Sequence, residues 1–244
     1  MAALPADDAQ GPQRFRRALV SRLDEPVRRY LTHAITEGAL LGPAAELRMS
    51  GRIKVGAWLP FAATERCSAR SFEWRAGVGW GRVRPLRVLD SYAAGSGHTR
   101  GRLLGRMTLF EASGVDTARS AAGRAALEAA VWAPTSVLAD PEVEWRAESD
   151  ELVVASWPVA PERPEVRLRI DRQGAVKSAV AERWGNAGQK EFGYIPCGCE
   201  VHAERRFGEV VVPSRVTVGW WFGTPRYAPF FRSEITDLAP YRGA

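Results

Sequence analysis

The strongest constraint on this chain is a period of two. Apolar and polar residues alternate from about residue 46, give way once to a helix-like segment, and alternate again almost to the end. Such alternation sets one face of each strand on a core and the other in water. Leu47, Met49, Ile53 and Val55 interleave with Arg48, Arg52 and Lys54, and a partner strand is expected to end near Cys67. Phe72, Trp74, Ala76 and Val78 interleave with Glu73 and Arg75; Leu86, Val88 and Tyr92 continue the pattern, and Leu103 to Phe110 follows a Gly95–Gly101 turn. The later runs are Val143–Ala147, Leu152–Val159, Val166–Ile170, Val176–Trp184, Phe192–Ile195, Glu200–Phe207, Val210–Phe222 and Phe230–Leu238. Their turns are short, as at Asp171–Gly174, where Gly174 supplies the left-handed residue of a hairpin.

The interruption runs from about Asp116, as N-cap, to Trp132, with Pro134 marking the exit. Ala118, Ala121, Ala122, Ala125 and Ala129 give this helix one small-residue face for close packing. Asp116, Ser120, Arg124 and Glu128 recur every four residues on another face, which also holds Leu127 and Val131. Two short helices precede the strands: Gln13–Leu23, then one announced by Asp24 with Pro26 in its opening turn. The expected organisation is a disordered 1–11 segment and a single α+β domain over 12–244. Its parts are N-terminal helices (12–36), first strands (45–110), the central helix (116–132) and a second strand run (142–238). A large antiparallel sheet of about ten to twelve strands curls under its own twist toward a half-barrel or clam. The Ala-rich helix and the N-terminal helices are the elements available to cover it, and an apolar hollow is expected beneath them.

Composition narrows the function classes. The net charge is +6, carried mostly by arginine, since Lys54, Lys177 and Lys190 are the only lysines. Most arginines alternate with apolar residues and read as solvated strand faces, including the basic stretch 82–106, so no nucleic-acid partner is expected. No signal-type apolar run opens the chain and no stretch is long enough to span a bilayer, so a cytoplasmic location and no membrane span are expected. Three cysteines do not form a disulfide framework. Cys197-Gly-Cys199 with His202 lacks the usual zinc spacing, and neither a metal nor a cofactor is expected. No serine-nucleophile elbow or phosphate-binding loop is present, and Gly77–Gly81 lacks a strand–helix context.

Nine tryptophans are many, and Trp74, Trp80, Trp184 and Trp220 fall on inward strand positions. They fill either a pocket or a core. Glu128 paired with Arg124 either fixes structure or anchors a ligand's polar group.

Several segments carry a resemblance. Ala118–Arg124 with Glu128 and Val131-Trp132-Ala-Pro134 resembles a family of uncharacterised bacterial proteins defined by a domain of unknown function. Arg183-Trp-Gly-Asn186, Phe192–Pro196, Pro213-Ser-Arg215, Gly219–Thr224 and Phe230-Phe-Arg232 extend the likeness. It departs at Cys197-Gly198-Cys199, where the family has Phe-Gly after the proline. The strand plan is similar to the curved-sheet lipoprotein-carrier architecture. The resemblance implies no reaction, but it singles out Arg119, Ser120, Arg124, Glu128 and Trp132 on the helix, and Arg183, Asn186, Arg215 and Arg232 near strand ends.

The leading expectation is therefore a binding protein for an apolar or amphipathic small molecule. Arg119, Ser120, Arg124, Trp132, Trp74, Trp184, Arg215, Trp220 and Arg232 are its expected ligand contacts. The alternative is a cofactor-independent cyclase, isomerase or hydratase using Glu128 or Asp116 as acid–base. A third is a protein-interaction scaffold with a solid interior.

Overall fold

In the computed structural model, residues 13–42, 44–81 and 84–241 are described. The expected disorder of 1–11 lies outside them. The alternating segments become thirteen strands in one antiparallel sheet, slightly more than the pattern suggests. The first six are β1 (Ala45–Val55), β2 (Ala57–Ser68), β3 (Ser71–Val78), β4 (Leu86–Ala93), β5 (Ser96–Leu103) and β6 (Met107–Ala112). The rest are β7 (Glu144–Ser149), β8 (Leu152–Ser156), β9 (Glu165–Ile170), β10 (Val176–Gly185), β11 (Gly193–Phe207), β12 (Val210–Trp220) and β13 (Ala228–Pro240). Each half is a meander, and the two are joined in the middle by pairing of β1 with β13, from Ala45↔Pro240 to Ile53↔Phe231. β6 and β7 are the free edges.

Between the edges the chain crosses the sheet as α2 (Val115–Trp132) and the short α3 (Pro134–Ala139). α2 packs on β5 to one side and β10 to the other. The sheet curls around it: Tyr92 at the end of β4 donates a hydrogen bond to the Ala160 carbonyl beyond β8, on the opposite flank. Trp157 Nε1 likewise donates to the Ala69 carbonyl in the β2–β3 turn at 2.7 Å. The Ala-rich face of α2 makes this enclosure possible. Ala122, Ala125, Ala126 and Ala129 are fully buried, and small side chains let helix and sheet backbones approach closely.

Four details differ from the sequence reading. The first helix reduces to a 3-10 turn at Arg17–Val20, because Phe15 is held extended by a backbone bond to Ala39 at 2.7 Å. α1 (Glu25–Ala34) forms as expected after Asp24, but the Asp24 carboxylate accepts from the Ala147 N–H instead of capping the helix. The run Leu103–Phe110 breaks at the β5–β6 turn, and the stretch read as a Gly95–Gly101 turn is mostly strand. The runs Phe192–Ile195 and Glu200–Phe207 merge into β11, since β10 and β12 pair with it on both sides and override the Pro and Gly between them.

Candidate functional site

The α2 residues Arg124, Leu127, Glu128, Val131 and Trp132 recur at i, i+3, i+4, i+7 and i+8, so all five share one stripe. That stripe roofs a cavity of about 360 Å³ against the inner face of the sheet. Its walls are mostly apolar. Trp74 comes from β3, Val216, Val218 and Trp220 from β12, and Phe230 and Phe231 from β13. Val55 and Phe110 line it too, yet are 47% and 41% exposed, which marks the mouth.

One pole is charged. The Arg124 guanidinium donates to Asp90 on β4 at 2.5 Å and to Glu128 at 2.6 Å, and lies 4.3 Å from the Phe72 ring centroid. Burial works against its charge, but Glu128, Asp90 and Glu65 outweigh that and hold its pKa above the usual value. Behind them on β2 lies Glu65, only 1% exposed. Burial first, and the Glu128 carboxylate second, push Glu65 well above the ordinary carboxylate range, and it hydrogen-bonds to Glu128. Burial and the neighbouring carboxylate thus both favour the protonated form of Glu65. The Glu128 Oε2 and Trp74 Nε1 atoms, both on cavity-lining residues, are buried with no amide, hydroxyl or carbonyl in reach among the described residues. A proton shared from Glu65 satisfies the first; nothing among the described residues satisfies the second.

Of the residues expected to form the site, Arg124, Glu128, Trp132, Trp74 and Trp220 come together here. Trp132 is held by an indole bond to the Pro213 carbonyl at 3.1 Å. Ser120 sits one turn before the stripe, its carbonyl and hydroxyl accepting from Arg183, which lines the cavity and lies over Trp220 at 4.9 Å.

Asp116, Arg119 and Trp184 form a different cluster at the start of α2. Asp116 is not the N-cap, a place taken by Gly114; its carboxylate instead accepts from Trp184 Nε1 at 2.8 Å. Arg119 stacks 3.5 Å from the Trp184 ring centroid and donates to Glu162 and to Tyr194, whose hydroxyl donates to Glu162 at 2.6 Å. This saturated network clamps α2 to β10 and β11. Arg215 and Arg232 are exposed and alternate with the cavity-lining Val216 and Phe231, which puts them on the opposite face; Arg232 lies over Trp58 there at 4.7 Å.

Cys197 and Cys199 line the cavity as buried thiols, and burial pushes Cys199 up to about 12. His202 bonds Thr217 at 2.8 Å instead of joining them. No group of three or more His, Cys, Asp or Glu among the described residues is arranged to hold a metal.

Sequence reading missed Glu65 and Asp90. Each had a signal: Phe61-Ala63-Glu65-Cys67 and Leu86-Val88-Asp90-Tyr92 place an acid in the apolar phase of a strand.

A family model matches residues 13–233, nearly the whole described chain. The chain belongs to DUF6544, a family of unknown function. Comparison with curated proteins gives no match. Among solved structures, the crystal structure of a DUF1329 family protein from Desulfovibrio piger is similar at 9% identity and a TM-score of 0.47, over 90% of this chain and 91% of that one. No helix among the described residues of this DUF6544 member is long and apolar enough to cross a membrane.

Proposed function

We propose that this protein binds an apolar or amphipathic small molecule in the cavity under α2. The observation that carries the reading is a cavity of about 360 Å³ with apolar walls and polar atoms concentrated at one pole. Volumes of this size, mostly apolar with a few fixed polar groups, suit small-molecule recognition. Trp74, Trp132 and Trp220 supply rigid contact area, and Arg124 with Glu128 orients the ligand's polar end. A purely structural scaffold has no use for an unpartnered indole N–H on a cavity wall, which costs free energy until something accepts from it.

Titration with decanol, decanoic acid and decylamine, followed by tryptophan emission, tests this. Saturable quenching or a blue shift is the expected result, reduced about tenfold in apparent affinity by Val218→Trp, which fills the cavity. Flat titrations, together with native mass spectra that never show a co-purified ligand, would count against it.

Glu65 favours a second reading, an isomerase without cofactor. A neutral acid and an ion-paired carboxylate side by side form an acid–base pair. Glu128 would take a proton from a carbon next to a carbonyl and return it at the conjugated position, with Glu65 keeping its own proton throughout. Deuterium from solvent appearing in an unsaturated ketone probe, and disappearing in Glu128→Gln, is the expected signature.

A further inference from the structure

The mouth of the cavity carries a second pattern. Because the first six strands form a meander, the β1–β2, β3–β4 and β5–β6 turns all lie at the same end of their strands. The β3–β4 and β5–β6 turns are in contact, the Leu104 N–H donating to the Pro85 carbonyl at 2.7 Å, and the Gly79 N–H ties the β3–β4 turn to Pro60 near the start of β2 at 2.9 Å. Each presents large apolar side chains to water. Val55 is 47% exposed, Trp80 66%, Leu104 69% and Met107 55%. Turn tips seldom spend such residues on solvent, and their burial waits on a partner.

The charge at this end has one sign. Between Glu46 and Glu65, Glu73 and Asp90, Asp90 and Glu111, and Glu209 and Glu234, the chain has no acidic residue but thirteen lysines and arginines. The whole chain carries only +6, so these stretches are far more basic than the rest of the sequence. Arg52, Lys54, Arg84 and Arg106 stand beside the apolar tips, and none has a carboxylate within salt-bridge distance among the described residues. Behind them, a broad groove of about 660 Å³ on the outer face is lined by Arg48, Arg75, Arg87, Arg100 and Arg102. Of these, Arg75 reaches Glu73 and Arg100 reaches Glu111.

We infer that this end docks on an anionic lipid surface, the apolar turn tips entering the headgroup boundary and the arginines meeting lipid phosphates. Apolar tips ringed by cations suit a plane with an oily interior and a negative surface. Nucleic acid would leave Leu104 and Met107 without a role. The cavity opens at the same end, so a docked molecule would have its mouth at the bilayer. The inference holds whatever occupies the cavity.

The test is co-sedimentation of the full chain with vesicles of phosphatidylcholine alone or mixed with phosphatidylglycerol. Binding is expected to the mixed vesicles only, weakening as salt rises. Arg52→Gln with Arg106→Gln should weaken it roughly thirtyfold, at the usual contribution of a basic residue near such a surface. Leu104→Ser with Met107→Ser should weaken it about fivefold or more while leaving the fold intact, since both side chains are exposed. No binding to mixed vesicles at low salt, equal binding to both vesicle types, or indifference to both double variants would overturn the inference. Tighter binding to a duplex oligonucleotide, unaffected by the serine pair, would reassign the surface to nucleic acid.

Discussion

A carboxyl group in the apolar phase of a strand must be neutral, paired, or both, because an isolated buried charge costs many kcal/mol. Glu65 illustrates this and its consequence for stability. Unfolded, it releases its proton near the ordinary value of 4.5; folded, it holds the proton well above that. Between the two values the native state binds one proton more than the unfolded state, so stability is full below the lower value and falls as pH rises toward the upper. Glu65→Gln removes the titrating group while keeping a donor for Glu128. The wild type should lose stability relative to this variant at up to about 1.4 kcal/mol per pH unit across that window, and match its pH dependence below it. Urea midpoints at pH 4, 6 and 8 measure the difference; parallel curves would mean that native Glu65 is charged. Both Glu65 and Asp90 stand in sequence where an apolar residue is due, so the anomaly was legible. Their convergence on Arg124 was not, because it joins three elements far apart in the chain.

Among the elements, α2 was the most legible. Its composition announced a close-packed face and a mixed face, and the stripe from Arg124 to Trp132 is the mixed one. What periodicity could not say is which sheet positions the helix meets. On β5 it meets Gly97, where an added Cβ would lie 2.8 Å from the Thr117 carbonyl oxygen and 2.9 Å from the Ala118 Cα. Both are backbone atoms of the first turn, which cannot yield without moving the helix. Gly97→Ala should therefore destabilise the fold by about 1–3 kcal/mol and weaken probe binding together, since α2 is the cavity's roof. An unchanged urea midpoint would show that α2 docks more loosely than this spacing requires. The Arg119 cluster teaches the reverse lesson. Its residue types suggest a binding site, yet Glu162 and Tyr194 saturate it and leave it to hold the helix in place.

The whole molecule depends on one seam. Two local meanders become one sheet only where β1 meets β13, a pairing between residues nearly the length of the chain apart. Such non-local pairing forms late and slowly, because loop closure must be met before its contacts contribute. Gly51 lies on the seam opposite Ser233, and a Cβ there would fall 1.9 Å from the Arg232 carbonyl oxygen. Gly51→Ala is expected to cost about 3 kcal/mol. Separation of the fluorescence and circular-dichroism unfolding curves would locate the damage at the seam, whereas coincident, unshifted curves would show that it yields freely. The sequence by itself determined the elements: alternation specified strands, small-residue spacing specified a buried helix, and turn residues specified local hairpins, all properties of neighbours within a few positions. Only the tertiary structure decided the cavity, the Glu65–Glu128–Arg124–Asp90 pole and the basic, apolar-tipped end, because each arises where sheet curvature and the β1–β13 seam bring distant strands together.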